Sequence, residues 1–280
     1  MSNEQNILFT PVQQFSNRIV MAPMTRSRAI NNIPNDLIAE YYGQRATAGL
    51  IITEGTSPSP NGLGYPRIPG IFSEAQIEGW KKTTEAVHAK GGKIFIQFMH
   101  VGRIGSYENL PKGATLVAPS AISAHGDMFT DTKGMVKTDT PEELTAEGIK
   151  DSIAEFVQAA KNAVAAGFDG VELHSANGYL LEQFLNPHAN TRTDEYGGSI
   201  ENRARFVIEV TNAVADAIGK ENVGIRFSPY NDFNTMPPYD EVYETYEYLA
   251  KEINKTGILY INLLDGAARK EQRTGTYICH

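Results

Sequence analysis

The segment Gly170-Val-Glu-Leu-His174-Ser-Ala-Asn177-Gly-Tyr179 ends a short apolar run in polar chemistry. An imidazole, a carboxamide and a phenol follow one another between His174 and Tyr179. Two neutral donors such as His174 and Asn177 suit an oxyanion or a polarised carbonyl. A phenol beside them can give up a proton, which makes Tyr179 a candidate acid. In parallel α/β folds, ligands bind where strands end, because side chains there reach a cleft from a rigid element. Taken alone, the same residues equally fit a satisfied buried histidine followed by an asparagine turn.

Other polar residues hold comparable places. Thr25 follows the run Arg18-Ile-Val-Met-Ala-Pro23, Gln97 lies in Lys93-Ile-Phe-Ile-Gln-Phe-Met99, and Arg226 lies in Val223-Gly-Ile-Arg-Phe227. If each run is a parallel strand, all of these side chains converge on one mouth. Individually, Arg226 fits a structural ion pair and Gln97 a satisfied core amide. Metal chemistry suits the chain poorly, since H-x-H and H-E-x-x-H are absent and His174 has no carboxylate partner of the right kind. Glu172 alternates with Val171 and Leu173, so it can face inward, but one acid does not make a site. A serine hydrolase is also disfavoured, because no G-x-S-x-G elbow occurs.

The elements that would position these residues read as a βα rhythm. Strands are expected at 19–22, 50–53, 93–99, 170–174, 223–227 and 259–263, with Pro23 stopping the first. Helices are expected at 35–48, with Gly49 as its C-terminal stop, and at 73–90, where Ser73 and Gln76 form a capping box. Further helices span 145–166, 199–218 and 241–256, with a helical turn around Leu180, Leu181 and Phe184. Residues 101–141 break the rhythm: they are rich in Gly, Pro, Ser, Thr and Asp. We expect them to form an excursion over the mouth with a small hairpin, either a substrate lid or a decoration. No G-x-G-x-x-G turn follows the first strand, so an open dinucleotide-binding sheet is disfavoured. The expectation is a single domain over 1–280, an α/β barrel of the TIM (β/α)₈ type, incomplete at the C-terminus after about six strands.

Composition narrows the function. The 280 residues carry a net charge of −8 and only one cysteine, Cys279. An acidic chain argues against a nucleic-acid partner. No apolar run approaches the roughly 20 residues of a membrane span. The start, Met1-Ser-Asn-Glu-Gln-Asn6, lacks a signal-peptide pattern. With no intrachain disulfide available, a reducing cytoplasm is the expected location.

The motifs Asn17-Arg-Ile-Val-Met-Ala-Pro-Met-Thr-Arg-Ser-Arg28, Gly49-Leu-Ile-Ile-Thr-Glu-Gly55, His174-Ser-Ala-Asn-Gly-Tyr179 and Arg192-Thr-Asp-Glu-Tyr-Gly-Gly-Ser-Ile-Glu-Asn-Arg203 resemble the old yellow enzyme family of flavin-dependent ene-reductases. The resemblance runs in order from about Leu8 to Leu263. It implies FMN over the barrel mouth, reduction by NADPH or NADH, and hydride delivery from the flavin to the β-carbon of an enone or nitroalkene. Carried over by that resemblance, Pro23, Met24 and Thr25 line the flavin, Gln97 bonds its pyrimidine edge and Arg226 stabilises its reduced form. His174 and Asn177 hold the substrate oxygen, Tyr179 protonates the α-carbon, and Tyr65 and Phe233 wall the pocket.

Two departures stand out. Met99 occupies a position where close family members often carry Trp. Nothing after Leu263 matches the family's last two strands, which hold the flavin phosphate. A truncated form, or completion by another chain in a homo-oligomer, would account for this. The competing expectation is a non-catalytic barrel fragment acting through association with another chain; a barrel hydrolase using His174 ranks last.

Overall fold

A computed structural model describes residues 6–264. Along the chain come β1 (Val20–Met21), α1 (Asp36–Gly43), β2 (Leu50–Thr56), α2 (Glu74–His88), β3 (Ile94–Phe98), β4 (Val117–Ala118), β5 (Asp127–Thr130) and β6 (Gly134–Lys137). There follow β7 (Glu142–Glu143), α3 (Ala146–Ala165), β8 (Gly170–Ser175), α4 (Leu180–Leu185), α5 (Ile200–Ile218), β9 (Val223–Phe227), α6 (Val242–Thr256) and β10 (Tyr260–Leu263). Six strands form one sheet in the order β1-β2-β3-β8-β9-β10. Every neighbour in it is parallel. The result is the expected incomplete barrel of six staves.

Local sequence explains the helix starts. The Oγ of Ser73 accepts from the Gln76 N–H at 3.4 Å while Gln76 Oε1 accepts from the Ser73 N–H at 3.1 Å, so the capping box is present. Thr145 caps α3 through the Gly148 N–H at 3.0 Å, and Ser199 caps α5 through Asn202. Helix α1 is shorter than the spacing suggested, ending at Gly43 rather than near residue 48. Gly49 is therefore not its stop. A Cβ there would lie 2.0 Å from the Asn17 carbonyl oxygen, so the glycine is required by close backbone approach.

Inside the barrel, side chains stack in two layers. The lower one is apolar: Phe15, Phe95 and Tyr260 sit ring against ring, with centroids 6.3 and 6.0 Å apart, among Val12, Leu50 and Ile52. Gly170 and Gly224 make room for these rings, since a Cβ at either would lie 2.4 and 2.3 Å from Phe95 and Tyr260. The upper layer is polar, set by register: Gln97 pairs with Glu172, and Arg226 pairs with both His174 and Asn262.

The excursion after β3 holds the expected hairpin, β5 against β6, together with the parallel pair β4 and β7. It is tied to the loops at the mouth. Arg103 donates to the Thr235 carbonyl at 3.1 Å, Asn109 to that of Gly64 at 2.9 Å, and Thr235 to that of Ala124 at 2.6 Å. Its Ile104, Leu116, Ala124 and Met128 pack in one apolar cluster with Met99 and Tyr179. The excursion is thus a wall of the mouth.

Candidate active site

The floor of the mouth is a closed polar set centred on Glu172, which has no exposed surface. Gln97 Nε2 donates to its Oε1 at 2.7 Å and Asn262 Nδ2 to its Oε2 at 3.0 Å. Burial pushes the Glu172 carboxyl up; the Arg226 guanidinium and the two amide donors pull it back. Burial, aided by Arg226, holds His174 well below the usual imidazole range, so His174 is neutral. Its Nδ1 is buried and has no hydrogen-bond partner among the described residues.

Past β8, residues 176–179 form a strap that carries Asn177 and Tyr179. Asn177 (φ 59°) and Gly178 (φ 77°) are both left-handed, and for Asn177 that conformation costs energy the surroundings must offset. Asn177 Oδ1 accepts from Asn231 Nδ2 at 2.7 Å, which leaves its NH₂ as donor. The Tyr179 ring meets His174 edge-on, with centroids 4.8 Å apart. The Tyr179 hydroxyl donates to Tyr65 Oη at 3.2 Å, and Tyr65 in turn lies 3.5 Å from Asn234 Oδ1. Burial raises Tyr179 well above the ordinary phenol range, so it keeps its proton at neutral pH. The sequence-expected His174, Asn177, Tyr179 and Tyr65 are thus brought together. Phe233, half exposed on the turn Phe233–Thr235, contributes its carbonyl oxygen, 3.0 Å from where a Gly178 Cβ would stand.

The strap is pinned from beneath. Glu182 Oε2 accepts from the Gly178 N–H at 2.5 Å, and Gln183 Nε2 donates to the Gly178 carbonyl at 2.7 Å. Ser228 Oγ accepts from the Asn177 N–H at 2.7 Å and donates to Glu182 Oε1 at 2.9 Å. Asn234 Nδ2 holds the Asn177 carbonyl at 2.7 Å.

On the opposite side Pro23, Met24 and Thr25 follow β1 onto the rim, with Pro23 half-buried and Met24 and Thr25 exposed. Glu54 of β2 fixes this segment: its Oε2 accepts from the Arg26 N–H at 2.9 Å, and its Oε1 is buried without a hydrogen-bond partner among the described residues. Met99 is buried, its Sδ 2.5 Å from where a Gly55 Cβ would stand. The long Arg192-to-Arg203 motif supplies geometry. Arg192 donates to the Pro119 and Leu144 carbonyls and pairs with Asp194; Arg203 donates to the Leu185 carbonyl at 2.9 Å and pairs with Glu241 at 2.7 Å.

Sequence reasoning missed Glu182, Ser228, Asn231, Asn234 and Glu54, and undervalued Glu172. A carboxylate embedded in Leu180-Leu-Glu-Gln-Phe-Leu185 and the asparagines of Tyr230-Asn-Asp-Phe-Asn234 were the available signals.

The family model of the NADH:flavin oxidoreductase / NADH oxidase family matches residues 7–277. The chain belongs to that family. Within it, 12-oxophytodienoate reductase 1 of Oryza sativa subsp. japonica is 44% identical over 264 residues, covering 92% of this chain and 68% of the relative. A probable flavin mononucleotide-dependent alkene reductase of Leishmania infantum is 43% identical over 256 residues, covering 90% and 70%. A solved structure of morphinone reductase in complex with tetrahydroNAD superposes with a TM-score of 0.89 at 40% identity, covering 96% of this chain and 85% of that one. The old yellow enzyme resemblance read from the motifs therefore holds, as does the barrel. The mouth fits a flavin: its floor carries buried amide and guanidinium groups, and His174 Nδ1 is a buried polar atom with no hydrogen-bond partner among the described residues. Among the described residues no helix is long and apolar enough to cross a membrane, and no group of His, Cys, Asp and Glu is arranged to hold a metal.

Proposed function

We propose that this chain reduces the activated C=C bond of α,β-unsaturated carbonyl or nitro compounds, using FMN and a nicotinamide reductant. The observation that carries the reading is the neutral His174 beside donor Asn177 and protonated Tyr179 on one strap, above a buried polar floor. Pro23, Met24, Thr25, Gln97 and Arg226 are the residues assigned to FMN, which when bound supplies hydride to the substrate's β-carbon.

The chain's own residues do the rest. His174 and Asn177 donate to the carbonyl or nitro oxygen, drawing electron density from the alkene where negative charge develops. Tyr179 delivers a proton to the α-carbon; its bond to Tyr65 orients the hydroxyl, and burial keeps the proton in place until that step. Tyr65 and Phe233 bound the substrate. NADPH is the proposed reductant and the cytoplasm the proposed location, in keeping with a single cysteine.

A visible absorption spectrum of the purified protein tests this. We expect flavin bands that bleach on anaerobic addition of NADPH and return on adding 2-cyclohexenone. A colourless preparation that takes up no added FMN overturns the reading.

A further inference from the structure

We propose that Glu182 is the positioning residue of the Asn177–Gly178–Tyr179 strap, setting the donor geometry from behind without touching the substrate. The strap carries two consecutive left-handed residues, Asn177 and Gly178; glycine takes that conformation freely, whereas Asn177 is held in it by surrounding bonds. Those bonds converge on Glu182. Its Oε2 takes the Gly178 N–H directly, and its Oε1 takes the hydroxyl of Ser228, the same hydroxyl that accepts from the Asn177 N–H. Tyr246 Oη donates to Oε1 at 2.7 Å and completes a cage made only of donors. Burial raises the Glu182 carboxyl to about 7, and once ionised above that it only accepts and satisfies all three donors; a carboxamide or an alkyl side chain does not.

Glu182 is buried and borders a cavity of about 270 Å³ also lined by Tyr239, Tyr246, Asn231 and Met236. Its neighbour Gln183 grips the Gly178 carbonyl at 2.7 Å. Gly178, the residue between the proposed substrate donor and the acid, is thus held at both its N–H and its carbonyl by consecutive side chains of α4. Losing a hydrogen bond to a charged group releases the strap by roughly ten- to hundredfold in its opening equilibrium.

The inference rests on the ene-reductase reading for its kinetic arm only. Flavin-loaded wild type, Glu182→Gln, Glu182→Ala, Ser228→Ala and Tyr246→Phe are reduced with dithionite and mixed with 2-cyclohexenone, giving a Kd and a limiting rate. In parallel, amide hydrogen exchange is followed in the peptide spanning 176–180 and, as reference, in β9. We expect Glu182→Gln, Glu182→Ala and Ser228→Ala to raise the enone Kd and to speed exchange in 176–180 by roughly tenfold or more, with β9 unchanged. Tyr246→Phe, which keeps both strap contacts, leaves Kd and 176–180 exchange within about twofold of wild type. Should Glu182→Ala fail to fold, Glu182→Gln and Ser228→Ala decide. Unchanged exchange in folded Glu182→Gln and Ser228→Ala overturns the inference, as does an equal effect of Tyr246→Phe. A wild-type protein inert toward the enone whose Glu182 variants still loosen the strap overturns the ene-reductase reading and leaves the positioning role standing.

Discussion

Replacing Glu54 with glutamine changes how stability depends on pH. Glu54 has no exposed surface, accepts from the Arg26 N–H at 2.9 Å, and keeps Oε1 buried beside a cavity of about 210 Å³ lined by Arg28, Leu37, Ile38 and Tyr41. Burial raises its carboxyl from 4.5 to about 7, only partly opposed by the Arg26 and Ser27 amides and the nearby guanidinium groups. The folded state therefore binds a proton that the unfolded state has already released between about pH 4.5 and 7. Stability must fall as pH rises through that window, by about 3 kcal/mol for this group, and the cost is fully present above it. Glu54→Gln removes the titration. The variant should gain on wild type by about 2.5 kcal/mol between pH 5 and pH 8. At about 2–4 °C per kcal/mol for a domain of this size, the difference in Tm between the two proteins should change by roughly 5–10 °C. Thermal unfolding followed by fluorescence at the two pH values measures it. Glu182, also raised to about 7 by burial, acts with the same sign, so the variant's own curve flattens without becoming level. A Tm difference between wild type and Glu54→Gln that is the same at pH 5 and pH 8 would refute the argument.

Three further outcomes are expected. Tyr179→Phe should slow reoxidation of reduced flavin by an enone by roughly 10²–10⁴-fold while flavin reduction by NADPH stays near wild type; stopped-flow absorbance separates the two half-reactions, and equal losses in both would remove Tyr179 from the acid role. Gly178→Ala would place a methyl 2.7 Å from Met236 Cγ and 3.0 Å from the Phe233 carbonyl oxygen at φ 77°, and should destabilise by about 1–3 kcal/mol and weaken enone binding; an unaltered Kd and Tm would contradict the close packing described. Glu172→Ala strips the buried floor of the acceptor shared by Gln97 and Asn262 and of the charge beside Arg226, at an expected cost of about 3–5 kcal/mol by denaturant unfolding; a cost under about 1 kcal/mol would show the floor to be dispensable.

Much of this architecture was legible because it obeys local rules. Val223–Phe227 and Gly170–Ser175 announce themselves by apolar runs bracketed with glycine, and Ser73, Thr145 and Ser199 by capping chemistry. His174, Gln97 and Arg226 were legible because strand ends in a parallel sheet share one mouth. Glu54 and Glu182 were not, because folding brings partners from distant segments, the Arg26 N–H to Glu54 and the Ser228 and Tyr246 hydroxyls to Glu182, and no spacing rule encodes them. Helix α1 was overextended for a related reason: Gly49 looks like a helix stop in sequence, whereas tertiary contact with Asn17 is what demands it. The motif from Arg192 to Arg203 carried much of the family resemblance, yet its arginines bind carbonyls and carboxylates of the scaffold.

The loop that follows β9 meets the strap through Ser228, Asn231 and Asn234, whereas the floor is built from β3, β8, β9 and β10. On the proposed reading, substrate preference and cofactor affinity are thereby written in separate parts of the chain. Drift or laboratory grafting within 230–236 can reshape what the enzyme accepts while the floor stays fixed. The converse also holds: a loop graft that omits the asparagines would carry a new wall into the barrel and lose the bonds that hold the Asn177 side chain and carbonyl in place.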